Sequence, residues 1–196
     1  MLRALAGALT ALAALPVLLA GQEPGRWPVA VEPFAGVIDD AYDVGDDGST
    51  LGWLAGARVS MRATPPLRFT LTASYGRTSD VGYHSPARTV AGRNEWVLST
   101  VGVEHELQRG PVRIGVGVDL GAAWRRIAPQ ARVSDPVEAS YFGNDWSPTE
   151  ALVPGVAVRY PFTRRLAASL AGRLHLYHFL ENARASPALT FGLVVR

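Results

Sequence analysis

Hydrophobic and polar residues alternate along most of this chain. In VRIGVGVDLGAAWR, every second residue is apolar: Val112, Ile114, Val116, Val118, Leu120, Ala122 and Trp124. Between them stand Arg113, Gly115, Gly117, Asp119, Gly121, Ala123 and Arg125. A period of two is the signature of a strand with one greasy and one polar face. The same pattern sets Leu67, Phe69, Leu71, Ala73 and Tyr75 against Arg68, Thr70, Thr72, Ser74 and Gly76. It sets Leu51, Trp53, Ala55, Ala57, Val59 and Met61 against Gly52, Gly56, Arg58, Ser60 and Arg62, with Leu54 breaking the order. Leu166, Ala168, Leu170, Leu174 and Leu176 oppose Ser169, Arg173, His175 and Tyr177. Leu189, Phe191, Leu193 and Val195 oppose Thr190, Gly192 and Arg196. Weaker alternation runs from Trp96 to Leu107 and from Leu152 to Tyr160, and a first strand falls near Trp27 to Val37, where Pro28 and Pro33 remove donors.

These segments make eight strands. Three connections are tight: Thr64-Pro65-Pro66, Gln108-Arg109-Gly110-Pro111 and Pro161-Phe162-Thr163-Arg164. The others, Ile38 to Thr50, Thr78 to Arg93, Arg126 to Thr149 and Glu181 to Ser186, are longer. Long and short alternate strictly. In an up-and-down sheet all tight turns then lie at one end and all long loops at the other, the asymmetry of outer-membrane barrels.

A lipocalin-type soluble barrel also alternates, with its apolar face inside. Here the polar face is rich in Gly, Ser, Thr and Arg, suited to a narrow interior, and carries no Lys and few Glu, unlike a solvated exterior. Trp53, Tyr75, Trp96, Trp124, Tyr177 and Phe179 fall near the long-loop rim, and Tyr160 and Phe162 near the tight turns, as two aromatic girdles would. Inverting the strand of Val112 to Arg125 would aim Asp119, Arg113 and Arg125 at lipid, and one Arg at mid-bilayer costs ~2–4 kcal/mol. The apolar face is therefore expected outside. The fold expected is all-β: an eight-stranded antiparallel up-and-down transmembrane β-barrel.

Composition narrows the picture further. The 196 residues suffice for one domain or one closed barrel. There is no Cys, which excludes disulfides, thiol catalysis and thiolate metal sites. All 19 basic residues are Arg, and a formal charge of +2 with no basic–aromatic patch gives no reason to expect nucleic acid as a partner. The start, MLRALAGALTALAALPVLLAGQ, has Arg3, an apolar run from Ala4 to Ala20, and small residues at Ala20 and Gly21. That is the layout of a cleavable signal peptide over 1–21, with the barrel in 22–196. A retained anchor is the alternative, against which Pro16 and the short length argue.

With its strand number, its loop asymmetry and the closing ALTFGLVVR, the chain resembles the small eight-stranded outer-membrane β-barrels of the OmpA transmembrane domain and OmpX-like type. The ending resembles their C-terminal assembly signal, with Arg196 where the group has Phe. The resemblance implies a monomer in the bacterial outer membrane. Its partners would be membrane lipid and lipopolysaccharide, the barrel assembly machinery and a surface protein reached through the long loops.

Candidate chemistry falls in three places. In the lumen, Glu32, Arg58, Asp119 and Arg173 fall at similar depth and should pair, because an unpaired buried charge is costly. Arg62, Arg68, Arg113, Glu104, Arg159 and Arg196 form a second, basic layer, and His175 joins the network. This is either a polar plug or a narrow anion-preferring pore. In RLHLYHFLEN, His175, His178 and Glu181 cluster near the outer rim. Lipid A deacylases of the PagL type, also eight-stranded barrels, use a His and a Ser two residues apart. Here the residue two after His178 is Leu180, and two after His175 is Tyr177, so the nucleophile is missing. His175 and His178 also face opposite ways, which disfavours a shared metal.

The loops come last. The first holds Asp39, Asp40, Asp43, Asp46 and Asp47. It departs from a calcium loop, with Gly45 at a ligand position and Leu54 where the final Glu belongs, and reads as a solvated acidic loop. Arg77, Arg88 and Arg93 of the second loop could meet lipopolysaccharide phosphates. Tyr141, Phe142 and Trp146 of the third could bind a partner or cover the barrel mouth. The expected role is non-enzymatic, without cofactor or metal: a surface protein acting through its loops. A lipid A-modifying enzyme and a narrow pore are the alternatives.

Overall fold

In the computed structural model, the described residues are 29–40, 51–78, 81–84, 89–129, 146–180 and 183–196. The expected signal peptide, Glu181, most of the acidic loop, Arg88, Tyr141 and Phe142 lie outside them. The strands are β1 (Val29–Asp39), β2 (Leu51–Thr64), β3 (Leu67–Thr78), β4 (Val81–His84), β5 (Thr89–Arg109), β6 (Val112–Pro129), β7 (Ser147–Pro161), β8 (Leu166–Tyr177) and β9 (Arg184–Val195). Each pairs antiparallel with its neighbours, β3 joins β5, and β1 joins β9, so eight strands close a barrel. The ninth, β4, pairs only with β5 beyond the end of β3 and extends that hairpin upward.

Two boundaries differ from the sequence reading. The first strand begins at Val29 and runs to Asp39. The second and third loops are shorter than expected, because β5 has 21 residues and β6 has 18, paired up to Gly92↔Pro129. A bilayer needs only ~9–11 residues per tilted strand. The excess rises past the membrane as a ribbon, where backbone pairing continues after the alternation of side chains has faded.

The tight turns have local causes. Arg109↔Val112 closes β5–β6 through two residues, and Gly110 takes φ 59°, the left-handed region that the primed hairpin turns require. At the β7–β8 turn, Thr163 Oγ1 accepts from the Leu166 and Arg165 amides at 2.9 and 3.2 Å. The β1–β9 ladder, which joins the two ends of the chain, is the shortest of the barrel. It runs from Val31↔Val195 to Ile38↔Ala188 and is interrupted at Glu32 and Pro33.

Burial is the reverse of a soluble protein's. Along β3, Phe69 and Leu71 are about half exposed, while Arg68, Thr70, Thr72 and Ser74 are buried. Val101, Val118, Leu120, Val156, Leu170 and Phe191 continue the apolar outer wall. Glu32, Arg58, Glu104, Asp119 and Arg159 are sealed inside. Such a wall is stable only against hydrocarbon, because water would face a continuous apolar band far larger than monomers tolerate.

The aromatic girdles need one correction. Trp53, Tyr75 and Trp124 do lie on the outer wall toward the loop end, and Tyr160 and Phe162 toward the turn end. Trp96 and Tyr177, however, are fully buried inside the barrel. Their parity along β5 and β8 is that of Glu104 and Arg173, which face inward. Gly76, opposite Trp96, leaves the space its indole occupies; a Cβ there would sit 2.6 Å from Cε2.

Candidate functional site

The inward positions of β5, read from the tight-turn end upward, are Glu106, Glu104, Gly102, Thr100, Leu98 and Trp96. They change from ionic to apolar at mid-depth, and the whole lumen changes with them.

The lower half is a ladder of charge. Glu106, near the turn end, is met by Arg68 at 3.0 Å, Arg62 at 3.6 Å, Arg113 at 3.7 Å and Arg159 at 3.8 Å. Glu104 receives both terminal nitrogens of Arg159, at 2.5 and 2.9 Å, and lies 3.7 Å from Arg58. Arg159 also reaches Glu32 at 3.4 Å. Asp119 accepts from Arg58 at 3.2 Å, Thr70 at 2.6 Å and Arg173 at 3.3 Å. Glycines make the room: a Cβ on Gly115 would strike the Glu104 carboxylate, and one on Gly102 would strike Asp119.

Of the lumen residues expected from the sequence, Glu32, Arg58, Arg68, Glu104, Asp119, Arg159 and His175 are buried, but their grouping differs. Glu32 pairs with Arg159 of the second layer, while Arg58 and Arg173 share Asp119. Arg113 meets Glu106. Glu106 escaped the sequence reading, although it stands two residues from Glu104 and so on the same face.

The upper half is apolar, built from Phe34, Ile38, Leu54, Leu98, Val153, Trp96 and Tyr177. Leu54, which broke the alternation, is one of these inward residues. His175 lies here rather than in the ionic ladder, its Nδ1 3.3 Å from the Tyr177 hydroxyl. Above sits a charged cap. Asp40, expected in a solvated loop, is fully buried, accepting from Arg125 at 2.5 Å and from Ser186 at 2.9 Å. Its even number carries the inward parity of Glu32, Phe34 and Ile38 one step past β1. Arg125 also lies over the rings of Trp96 and Tyr177, 5.5 and 4.6 Å from their centroids.

Ser186, Asp40 and His175 are the makings of a hydrolytic triad by type, but not by geometry. Ser186 donates its hydroxyl hydrogen bond to Asp40, His175 faces Tyr177, and all are buried. Two voids of the lumen hold about 10 Å³ each, room for a water rather than a lipid chain. Among the described residues no cluster suited to a metal ion occurs.

A separate group lies on the outer wall at the loop end. Arg77 and Arg93, expected in a loop, are strand residues of β3 and β5, because the pairing runs on through Arg77↔Glu95↔Arg126. Their odd parity on β3 and β5 is that of Phe69 and Val101, so they face outward. Glu95 shares that face yet is buried, clasped by Arg126 at 2.6 and 2.8 Å and by Arg93 at 3.1 Å. Arg77 stacks over Trp53 at 5.5 Å and Arg126 over Trp146 at 4.8 Å. Trp53 meets Tyr75 edge-on at 5.6 Å. An open cleft of about 340 Å³ runs beside them, lined by Val37, Leu51, Trp53, Arg77 and Arg93.

No known family model and no curated protein matches this sequence. Solved structures do match in shape. Neisserial surface protein A aligns with 87% of this chain and 99% of its own, at TM-score 0.53 and 15% identity. A major outer membrane protein of Thermus thermophilus aligns with 88% of this chain and 100% of its own, at TM-score 0.57 and 12% identity. The N-terminal β-barrel domain of Pseudomonas aeruginosa OprF aligns with 85% and 95%, at TM-score 0.50 and 15% identity. The fold is that of the small eight-stranded outer-membrane β-barrels. At such identities the likeness shows the fold alone and does not speak to the lumen filling or the basic rim.

Proposed function

We propose that this protein is a non-enzymatic barrel of the bacterial outer membrane, closed through its centre, that acts through its outer rim and loops. The observation that carries this reading is the reversed burial: an apolar wall facing outward around a lumen filled from Glu106 to Asp40. An ionic ladder below and an aromatic layer below a charged cap occupy the lumen, and the two voids described there have room for about one water each. That favours a plug over the anion-preferring pore. The orientation of Ser186 and His175 favours a structural role over lipid A hydrolysis.

The test begins with electrophoresis of an outer-membrane fraction with and without boiling. A compact band that shifts only on boiling is expected of a folded bilayer barrel. Recovery from the soluble periplasm with no shift would reject the reading. Planar-bilayer recordings of the purified barrel should then be silent, and lipid A from expressing cells should keep its mass. Stable unitary conductance would restore the pore, and a shortened lipid A would restore the enzyme.

A further inference from the structure

We infer that the outward-facing Arg77, Arg93 and Arg126 form a binding site for the phosphorylated sugar head of an outer-leaflet glycolipid. The inference rests on the outer-membrane reading above and names the partner of its rim.

Three features of the site argue for it. The first is depth. Tyr75 and Trp124 belong to the outer wall, and Arg77 and Arg126 follow two residues further toward the loops on β3 and β6, with Trp53 level with Arg77 in the register. Amphipathic aromatics settle at the membrane–water interface, so the arginines beyond them stand at headgroup level. The second is preorganisation. Glu95, buried between strands, fixes Arg93 and Arg126, while Trp53 and Trp146 support Arg77 and Arg126 from their ring faces. Planar guanidinium groups held in this way match phosphate oxygens in pairs. Among the described residues Arg77 is held by the face of Trp53 and by no carboxylate.

The third is charge. Among the described residues, three arginines stand against one glutamate in this cluster. Asp39 and Glu150 hold outward positions at the same end of the wall, on β1 and β7. Asp39, opposite the cleft residue Leu51, and Glu150, on the strand next to that of Arg126, bound the basic arc on its two sides. The cleft beside Trp53, Arg77 and Arg93 has the volume for a sugar–phosphate unit rather than for a bare phosphate.

The experiment uses the full barrel in maltoside micelles, which carry no phosphate. Bisphosphorylated lipid A, its dephosphorylated form and phosphatidylglycerol are titrated separately and followed by tryptophan fluorescence. Bisphosphorylated lipid A should bind, and Arg77→Ala/Arg93→Ala/Arg126→Ala should weaken it at least tenfold. Arg109→Ala/Arg164→Ala/Arg165→Ala removes the same charge from the exposed tight turns and should leave binding unchanged. All variants are first checked for the heat shift. Absence of that shift in the wild-type protein would count against the membrane reading rather than against this site.

Equal loss in both triple variants would reduce the effect to bulk charge and overturn the proposal. So would equal affinity for phosphatidylglycerol or for the dephosphorylated lipid. Glu95→Gln separates the two explanations by sign. Bulk attraction makes its binding tighter, because a negative charge is gone. A positioning role for Glu95 makes it at least threefold weaker.

Discussion

The two halves of the lumen occupy the same barrel, yet they are held together by opposite means. Below mid-depth, Glu106, Glu104, Asp119 and Glu32 are clasped by Arg68, Arg159, Arg58 and Arg173. Above it, Phe34, Ile38, Leu54, Leu98 and Trp96 pack as in an ordinary core. The lower half depends on completeness, because each charge out of water is tolerable only while its partners remain. The upper half depends on volume, because a missing methylene leaves a cavity but no stranded charge. Arg173 spans the two: it bonds Asp119 and lies 5.9 Å from the centre of the Phe34 ring.

That contrast can be broken by mutation, with stability read from urea unfolding of refolded barrels. Asp119→Ala should cost the most, about 3–5 kcal/mol, since it strands Arg173 and leaves Arg58 only Glu104 at 3.7 Å. Its counterpart is Glu32→Leu/Glu104→Met/Arg159→Leu, which removes Arg159 together with the two carboxylates it clasps most closely and should cost far less than Glu104→Ala. If the triple variant were the worse of the two, the ladder would be a source of net stability and not merely of mutual dependence. Leu98→Ala should cost about 3 kcal/mol through its cavity, a loss that restoring bulk with Met recovers. Gly76→Ala pushes on the Trp96 ring and should cost about 1–3 kcal/mol by overpacking. A Gly76→Ala/Trp96→Phe variant that fails to regain stability would place the strain elsewhere. Arg62→Ala comes last, at about 0–1 kcal/mol, because its side chain is 38% exposed and Glu106 keeps three other arginines.

Much of this was legible in the alternation. It located eight strands, their turns, the outward face and the inward arginines, because parity alone decides which side of a strand a residue takes. Parity also held the answers for Glu106, Asp40, Trp96 and Tyr177. They were missed where the expected behaviour of a residue type, acid in loop or aromatic in girdle, was set above its position in the count. Other features were not legible. The length of β5 and β6 is a matter of backbone pairing, which leaves no apolar mark once the strands rise past the bilayer. Glu95 has outward parity, and its burial comes from neighbours on β6 and from Arg93 on its own strand. The grouping of charges needed the register, since Arg159 and Glu32 are 127 residues apart.

The meeting of β1 and β9 has a mechanical consequence. A hoop made from one length of chain has one joint where its ends were brought together, and here that joint has the shortest ladder of backbone bonds. Asp40, just past β1, is bonded to Ser186 of β9 directly across it, and Glu32 of β1 is gripped from β7 by Arg159. The filling of the lumen therefore acts as a clasp behind the seam. A sideways pull on the wall would be resisted there by an ion pair and a hydroxyl as well as by the sheet, and opening of the hoop would require their release.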